Sequence, residues 1–260
     1  MADFASYGYK RLSLIATLGF LVGIVSVGAL FAAAYGYREG WWDYPFALQT
    51  IMKYTTYAAM GGVVISLIGL GAVLPGGSRR GWLIALLGLV ASGGASGYVL
   101  QQYYIVKTVP VIHDISTDTD NPPEFVAVLP IRESYGAARG EPMNPIEYTP
   151  EVALQQRAGY PDLGPLEVPA DAAEVLEKAE ALAEAMEWEI VAVDGEAGRL
   201  EATATSRWFG FKDDIVVRLT TTGAGTRIDV RSVSRVGRSD VGQNAARINE
   251  FLAALKRATS

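Results

Sequence analysis

LSLIATLGFLVGIVSVGALFAAAY, residues 12–35, runs without a single charged side chain. A helix needs about 20 such residues to cross a hydrocarbon core, so this stretch reads as a membrane span. Two more follow, Ala47–Leu74 and Trp82–Val106. Lys10-Arg11 before the first run and Ala32-Ala33-Ala34 near its end raise the question of a cleaved signal peptide. The run is much longer than the 7–15 residues of a signal's apolar region. It therefore reads as an uncleaved anchor, and three spans define a membrane part over residues 1–106.

Charge sets the expected orientation. Lys10 and Arg11 precede the first span, and Arg79 and Arg80 lie in the turn Pro75–Gly81 between the second and third. The first loop offsets Arg38 with Glu39 and Asp43. Positive loops stay cytoplasmic, which puts the N-terminus inside and the region after the third span outside. Trp41, Trp42, Tyr44 and Phe46, with Tyr98, Tyr103 and Tyr104, suit an outer aromatic belt, and Trp82 suits the inner one. Lys53 lies one or two turns inside the second span, where the ordinary reading is snorkelling to headgroups. The expected setting is a bacterial cytoplasmic membrane, with the C-terminal domain periplasmic or otherwise extracytoplasmic. Gly19 and Gly23, Gly61-Gly62, Gly69, Gly71 and Ser92–Gly97 make the spans slim. Small residues let helices approach closely in lipid. Two uses stay open: packing within the bundle, or contact with a membrane protein partner or a second copy.

Residues 1–104 hold six of the 22 Lys/Arg and three of the 28 Asp/Glu, which leaves residues 105–260 with 16 and 25 and a net charge of −9. Phosphate contacts supply most non-specific affinity for nucleic acid, so no nucleic-acid partner is expected. There is no cysteine and His113 is the only histidine. Thiolate chemistry, cysteine metal sites and intramembrane haem ligation by paired histidines are excluded, and no cofactor is expected. Ten of the twelve prolines fall in residues 105–170. Proline fixes φ and removes a donor, so residues 107–169 read as an extended, irregular strap lying across the domain that follows.

From 170 the pattern is regular. Asp171 and Glu174 form a capping box before a helix over 171–187, with Val175, Ala179, Leu182 and Met186 at helical spacing. Strands follow over Glu189–Val193, Arg199–Ser206, Asp214–Thr220 and Thr226–Ser234, with hairpin turns at Asp194–Gly198 and Thr221–Gly225. Leu200, Ala202 and Ala204 alternate with Glu201, Thr203 and Thr205, which reads as one buried and one wet face. A last helix starts near Ser239–Asp240. The expectation for 170–260 is an α+β unit of order α-β-β-β-β-α, an antiparallel meander with two helices on one face.

Two groups of segments carry a resemblance. One is Ile112-His113-Asp114-Ile115-Ser116-Thr117-Asp118, running on to Pro122-Pro123-Glu124-Phe125. The other is Phe209-Gly210-Phe211-Lys212-Asp213-Asp214, then Asp229–Gly237, then Ser239-Asp240, Gly242 and Asn244. Over about 105–257 the chain resembles the domain-of-unknown-function family fourteen-ninety-nine. That family brings no established activity. The resemblance implies kinship with membrane-tethered bacterial members and chloroplast-associated relatives.

The hairpin at Thr221–Gly225 brings Asp213 and Asp214 beside Arg231, Ser232, Ser234 and Arg235, because paired antiparallel strands juxtapose start and finish. Asn244 and Arg247 follow on the last helix, whose N-terminal amides favour an anion. The group reads as a structural network, as a ligand or anion site, or as a catalytic cluster. A hydrolase would need a base beside Ser232 or Ser234, and arginines stand there instead. His113, Asp114 and Asp118 are weak metal candidates that lack calcium-loop order. The leading function is an anchored extracytoplasmic module that binds or helps assemble a membrane partner. The alternative is a small-molecule or lipid-related enzyme or ligand-binding protein using Asp213, Asp214, Arg231 and Arg235.

Overall fold

A computed structural model describes residues 11–73 and 79–259. Lys10, used above to set orientation, and residues 74–78, which include the first part of the turn that carries Arg79 and Arg80, lie outside the described residues. The chain forms two compact units, one to Tyr104 and one from Ile105.

The first unit has helix α1 (Leu14–Arg38), a π-helical segment (Phe46–Met52) that runs on into α2 (Lys53–Ala72), and α3 (Trp82–Thr108). All three helical stretches, Leu14–Arg38, Phe46–Ala72 and Trp82–Thr108, are long and apolar enough to cross a membrane. Their packing is inverted relative to a water-soluble core. Small residues face inward: Ala16, Gly19, Gly23 and Ser26; Ala59, Gly62, Ser66 and Gly69; Ala85, Gly88, Ser92 and Ala95. Many large apolar side chains, among them Leu14, Leu18, Ile24, Leu67, Ile68 and Val90, face out, while Leu30 and Tyr37 are buried. That is the arrangement expected where lipid is as apolar as leucine and close backbone approach supplies the cohesion. A Cβ on Gly19 would stand 2.5 Å from Ser66 Oγ, and one on Gly69 2.9 Å from Ala16 Cα. Gly61, Gly71, Gly93, Gly94 and Gly97 have nothing within 4 Å of that position. Of the two uses left open by the sequence, bundle packing takes the first set of glycines and leaves the second unused.

The starts of α1 and α3 lie at one end of the bundle. Ser13 N donates to Arg80 O at 3.0 Å and Arg80 N to Arg11 O at 3.1 Å. Trp42 caps the other end of α1, donating from Nε1 to Ala33 O at 3.0 Å and lying over Gly36.

The second unit is a six-stranded antiparallel sheet. Strands β3 (Glu189–Asp194), β4 (Arg199–Thr205), β5 (Lys212–Thr222) and β6 (Gly225–Ser234) form the meander. Two short strands from the proline-rich segment, β1 (Asp114–Ser116) and β2 (Leu166–Val168), both pair with the free edge of β6. A Cβ on Gly225, at φ +134°, would stand 2.1 Å from Val168 O, so glycine there lets β2 dock. Helices α6 (Ala172–Ala185) and α7 (Gln243–Ala258) cover one sheet face. Val175, Ala179, Ile248, Phe251 and Leu255 interlock there with Leu200, Ile215, Val217, Ile228 and Val230, and Trp188 stacks on Phe251 at 5.0 Å. The α+β class, the meander and the shared helix face agree with the sequence.

Three local expectations are corrected. The proline-rich segment is not irregular throughout: it carries α4 (Leu129–Arg139) and α5 (Pro150–Gly159). Proline suits the first turn of a helix, and Pro130 and Pro150 sit there, with Thr149 capping α5 through Val152 N and Gly140 ending α4 at φ 62°. The other sheet face is not wet. The strap lies over it, and Phe125 and Val128 meet Val216 and Val233. Glu201 and Thr203, read as solvent-facing, are buried. Asp171 is the N-cap of α6, but its side chain makes no capping bond.

Candidate functional site

The sheet divides the candidate residues between its two faces, Arg231 and Arg235 on one and Ser232 and Ser234 on the other, as strand alternation read from the sequence requires. Consecutive residues of a strand point to opposite faces, so Asp213 and Asp214 part company. Asp213, Ser232, Ser234, Asn244 and Arg247 share the helix side. Arg247 NH2 donates to Asp213 Oδ2 at 2.7 Å, and its NH1 bonds Asn244 Oδ1 and Ser232 Oγ. Asn244 Nδ2 donates to Ser234 Oγ at 3.1 Å and to His113 O at 3.1 Å. The α7 N-terminus, offered above as an anion site, begins at Gln243 and not at Ser239–Asp240. Its amides are engaged: Asp240 accepts from Gly242 N at 2.9 Å and from Asn244 N at 2.8 Å. Burial pushes the Asp240 carboxyl up, against the pull of those two amides.

Asp214, Arg231 and Arg235 lie on the strap side. Asp214 is fully buried and held from both sides. Arg235 grips it in a fork, NH2 to Oδ1 at 2.7 Å and Nε to Oδ2 at 2.9 Å, and Arg132 NH1 reaches Oδ2 at 2.6 Å. Thr203 Oγ1 donates to Oδ1 at 2.7 Å. The expected reach between Asp214 and Arg235 is present. Arg231 pairs with neither Asp213 nor Asp214: it sits opposite Ser116 on β1 and bonds Asp114, at 2.9 and 2.6 Å. Its remaining donors go to Pro123 O and Ile146 O, and the rings of Phe125 and Tyr148 lie 5.2 and 5.4 Å from it. Desolvation raises the Asp114 carboxyl and lowers the Arg132 guanidinium, each opposed by its partner's charge. Two-pronged guanidinium–carboxylate pairs of this kind fix geometry as well as charge.

Arg132, Asp114 as an ion-pair partner, and Glu201 went unread in the sequence. Glu201 acts as an internal anion. Its carboxylate accepts from Val126 N, Ala127 N and Val128 N at 2.9–3.1 Å, just before α4, and pairs with Arg199 Nε at 3.1 Å. Anions favour that position because helix N-terminal amides point outward unpaired. Glu201→Gln turns one acceptor into a donor facing those amides. We expect a loss of about 1–3 kcal/mol, with faster hydrogen exchange over 126–139 and unchanged exchange in α7. Equal protection of 126–139 in the variant would contradict this role.

The metal candidates are also placed. Asp114 is bound to Arg231. Asp118 accepts from the backbone of Asp120 and Asn121 and pairs with Arg218 and Arg227, which share Asp229. Burial lowers the pKa of His113 from its usual 6.5, which leaves the ring neutral at pH 7. Among the described residues no group of three His, Asp or Glu side chains is arranged to hold a metal.

No curated protein matches the chain. A family model does match, over residues 114–255, which is the span from β1 to the last turns of α7 and includes every ion pair described above. The family is described as Protein of unknown function (DUF1499), and the chain belongs to it.

Proposed function

We propose that the protein is a membrane-tethered, non-catalytic module whose C-terminal domain, outside the cytoplasm, binds or helps assemble a partner in a bacterial cytoplasmic membrane. One observation carries this reading. The polar residues that would serve a substrate are spent inside the protein: Asp214 on two arginines and a threonine, Arg231 on a carboxylate and two carbonyls, Asn244 on Ser234 and His113 O, and Arg247 on Asn244 and Asp213. Groups committed in this way shape a rigid domain and leave recognition to its outer surface.

Orientation is part of the proposal. The ends of α1 and α3 that lie together carry Arg11, Arg79 and Arg80, and clustered Lys/Arg marks the cytoplasmic side. The native chain has no cysteine, so one placed at the exposed turn residue Glu196 reports alone. Glu196→Cys should react with an impermeant thiol reagent added to intact spheroplasts. Labelling only after lysis would overturn the orientation. The partner is tested by purifying the full chain in mild detergent. We expect a membrane protein to remain with it in fixed ratio through size exclusion. A chain that elutes unaccompanied from both detergent and native-membrane discs would contradict the module.

A further inference from the structure

We propose that Lys53, Tyr54 and Tyr57 form a docking site for the phosphate of an anionic phospholipid. The inference adds a ligand to the membrane part and rests on the three helices spanning a bilayer. Lys53 is the one charged residue inside the spans away from their ends; Arg38 and Lys107 sit in the last turns of α1 and α3. It lies seven residues past the start of its helical stretch, directly after the π-helical segment and so inside the span and not at its end. Its side chain is exposed on the outside of the bundle, away from the buried Thr55, Thr56 and Ala59. The π-helical segment that ends at Met52 sets this rotation, since a π turn holds more residues than an α turn and redirects the side chains that follow.

The surroundings complete the site. Lys53 Nζ lies 6.0 Å from the ring centroid of Tyr54, and the Tyr54 and Tyr57 rings meet edge to face at 6.4 Å. Both tyrosines are mostly exposed, at 64% and 59%. One ammonium and two phenol donors thus share one lipid-facing surface. The nearest acid in the sequence, Asp43, is engaged in accepting from Phe46 N at 2.8 Å. An ammonium in apolar surroundings draws a counter-charge, and a lysine stem bends toward headgroups to find one. An anionic headgroup supplies a phosphate without a competing cation. A choline headgroup brings its own positive charge to the same place, so the site discriminates between the two.

The test uses the full chain in nanodiscs made from equal parts phosphatidylglycerol and phosphatidylcholine. Retained lipid is counted by native mass spectrometry after gentle release. The wild type should keep one phosphatidylglycerol per chain that Lys53→Met loses. Lys53→Arg should keep it, and Tyr57→Phe should hold it less well. Thermal stabilisation by added phosphatidylglycerol should vanish in Lys53→Met alone. Equal retention by wild type and Lys53→Met, or no preference for phosphatidylglycerol over phosphatidylcholine in the wild type, overturns the site. A chain that does not enter the discs at all fails the spanning of the bilayer itself, and the site with it.

Discussion

Asp214→Ala should destabilise the C-terminal domain by about 3–5 kcal/mol, the cost of leaving buried charges without their partner. Arg132 and Arg235 would then face each other across an empty carboxylate position, both buried, with Thr203 Oγ1 losing its acceptor. A domain of ordinary stability has only about 5–15 kcal/mol to lose, so the variant should lose much of its margin at growth temperature. Glu174→Ala is the control. It breaks the Lys178–Glu174 pair on α6, whose side chains are 33% and 52% exposed, and such pairs are worth about 0–1 kcal/mol. Denaturant titration of the full chain, with sheet amides followed by hydrogen exchange, separates the two. A loss near that of Glu174→Ala would mean that the Asp214 cluster is not a buried network.

Gly88→Leu should break the membrane bundle, whereas Gly94→Leu should leave it standing. A Cβ at Gly88 would stand 2.7 Å from Phe20 N, 2.8 Å from Phe20 Cα and 2.8 Å from Ser66 Oγ. Two of those atoms are backbone, so α1 itself must move. Overpacking costs about 1–3 kcal/mol even where side chains can yield, and a leucine here adds more than a Cβ. At Gly94 nothing lies within 4 Å. Resistance of the purified chain to unfolding in a graded mixture of mild and denaturing detergent should fall for Gly88→Leu only. Equal sensitivity at both sites would contradict the assigned helix faces. If Gly94→Leu leaves the bundle intact but sheds a bound protein, the outward glycines belong to an interface.

The membrane part was legible because hydrophobic length is a composition signal that needs no tertiary knowledge. The meander was legible through alternation and its two hairpin turns, and the second turn brought Asp213 and Asp214 beside Arg231 and Arg235 without saying which would pair. Arg132 was not, because it meets Asp214 from 82 residues away, out of a segment whose prolines hide its helices. Yet Thr149-Pro150 and Gly140 were cap signals in plain view. Asp114 sits on a three-residue strand, too short to announce itself by period. Glu201 misled for a sharper reason. A Glu and two Thr alternating with apolar residues look solvent-facing; Thr205 is exposed, but the strap covers Glu201 and Thr203, and its amides at residues 126–128 hold Glu201. The split between Asp213 and Asp214 needed no structure at all, since neighbours on a strand face opposite ways.

The claim that the buried network is a scaffold is tested most directly by removing its charges together. Arg132→Met, Asp214→Leu and Arg235→Met in one chain replace the whole cluster by apolar side chains. Such replacements of buried ion clusters are often neutral or stabilising by about 1–4 kcal/mol. The stability lost in Asp214→Ala should therefore return, and the purified triple variant should keep the same associated protein as the wild type. A triple variant that folds as stably as the wild type but has lost that protein would contradict the account, and would make Arg132, Asp214 and Arg235 the functional site.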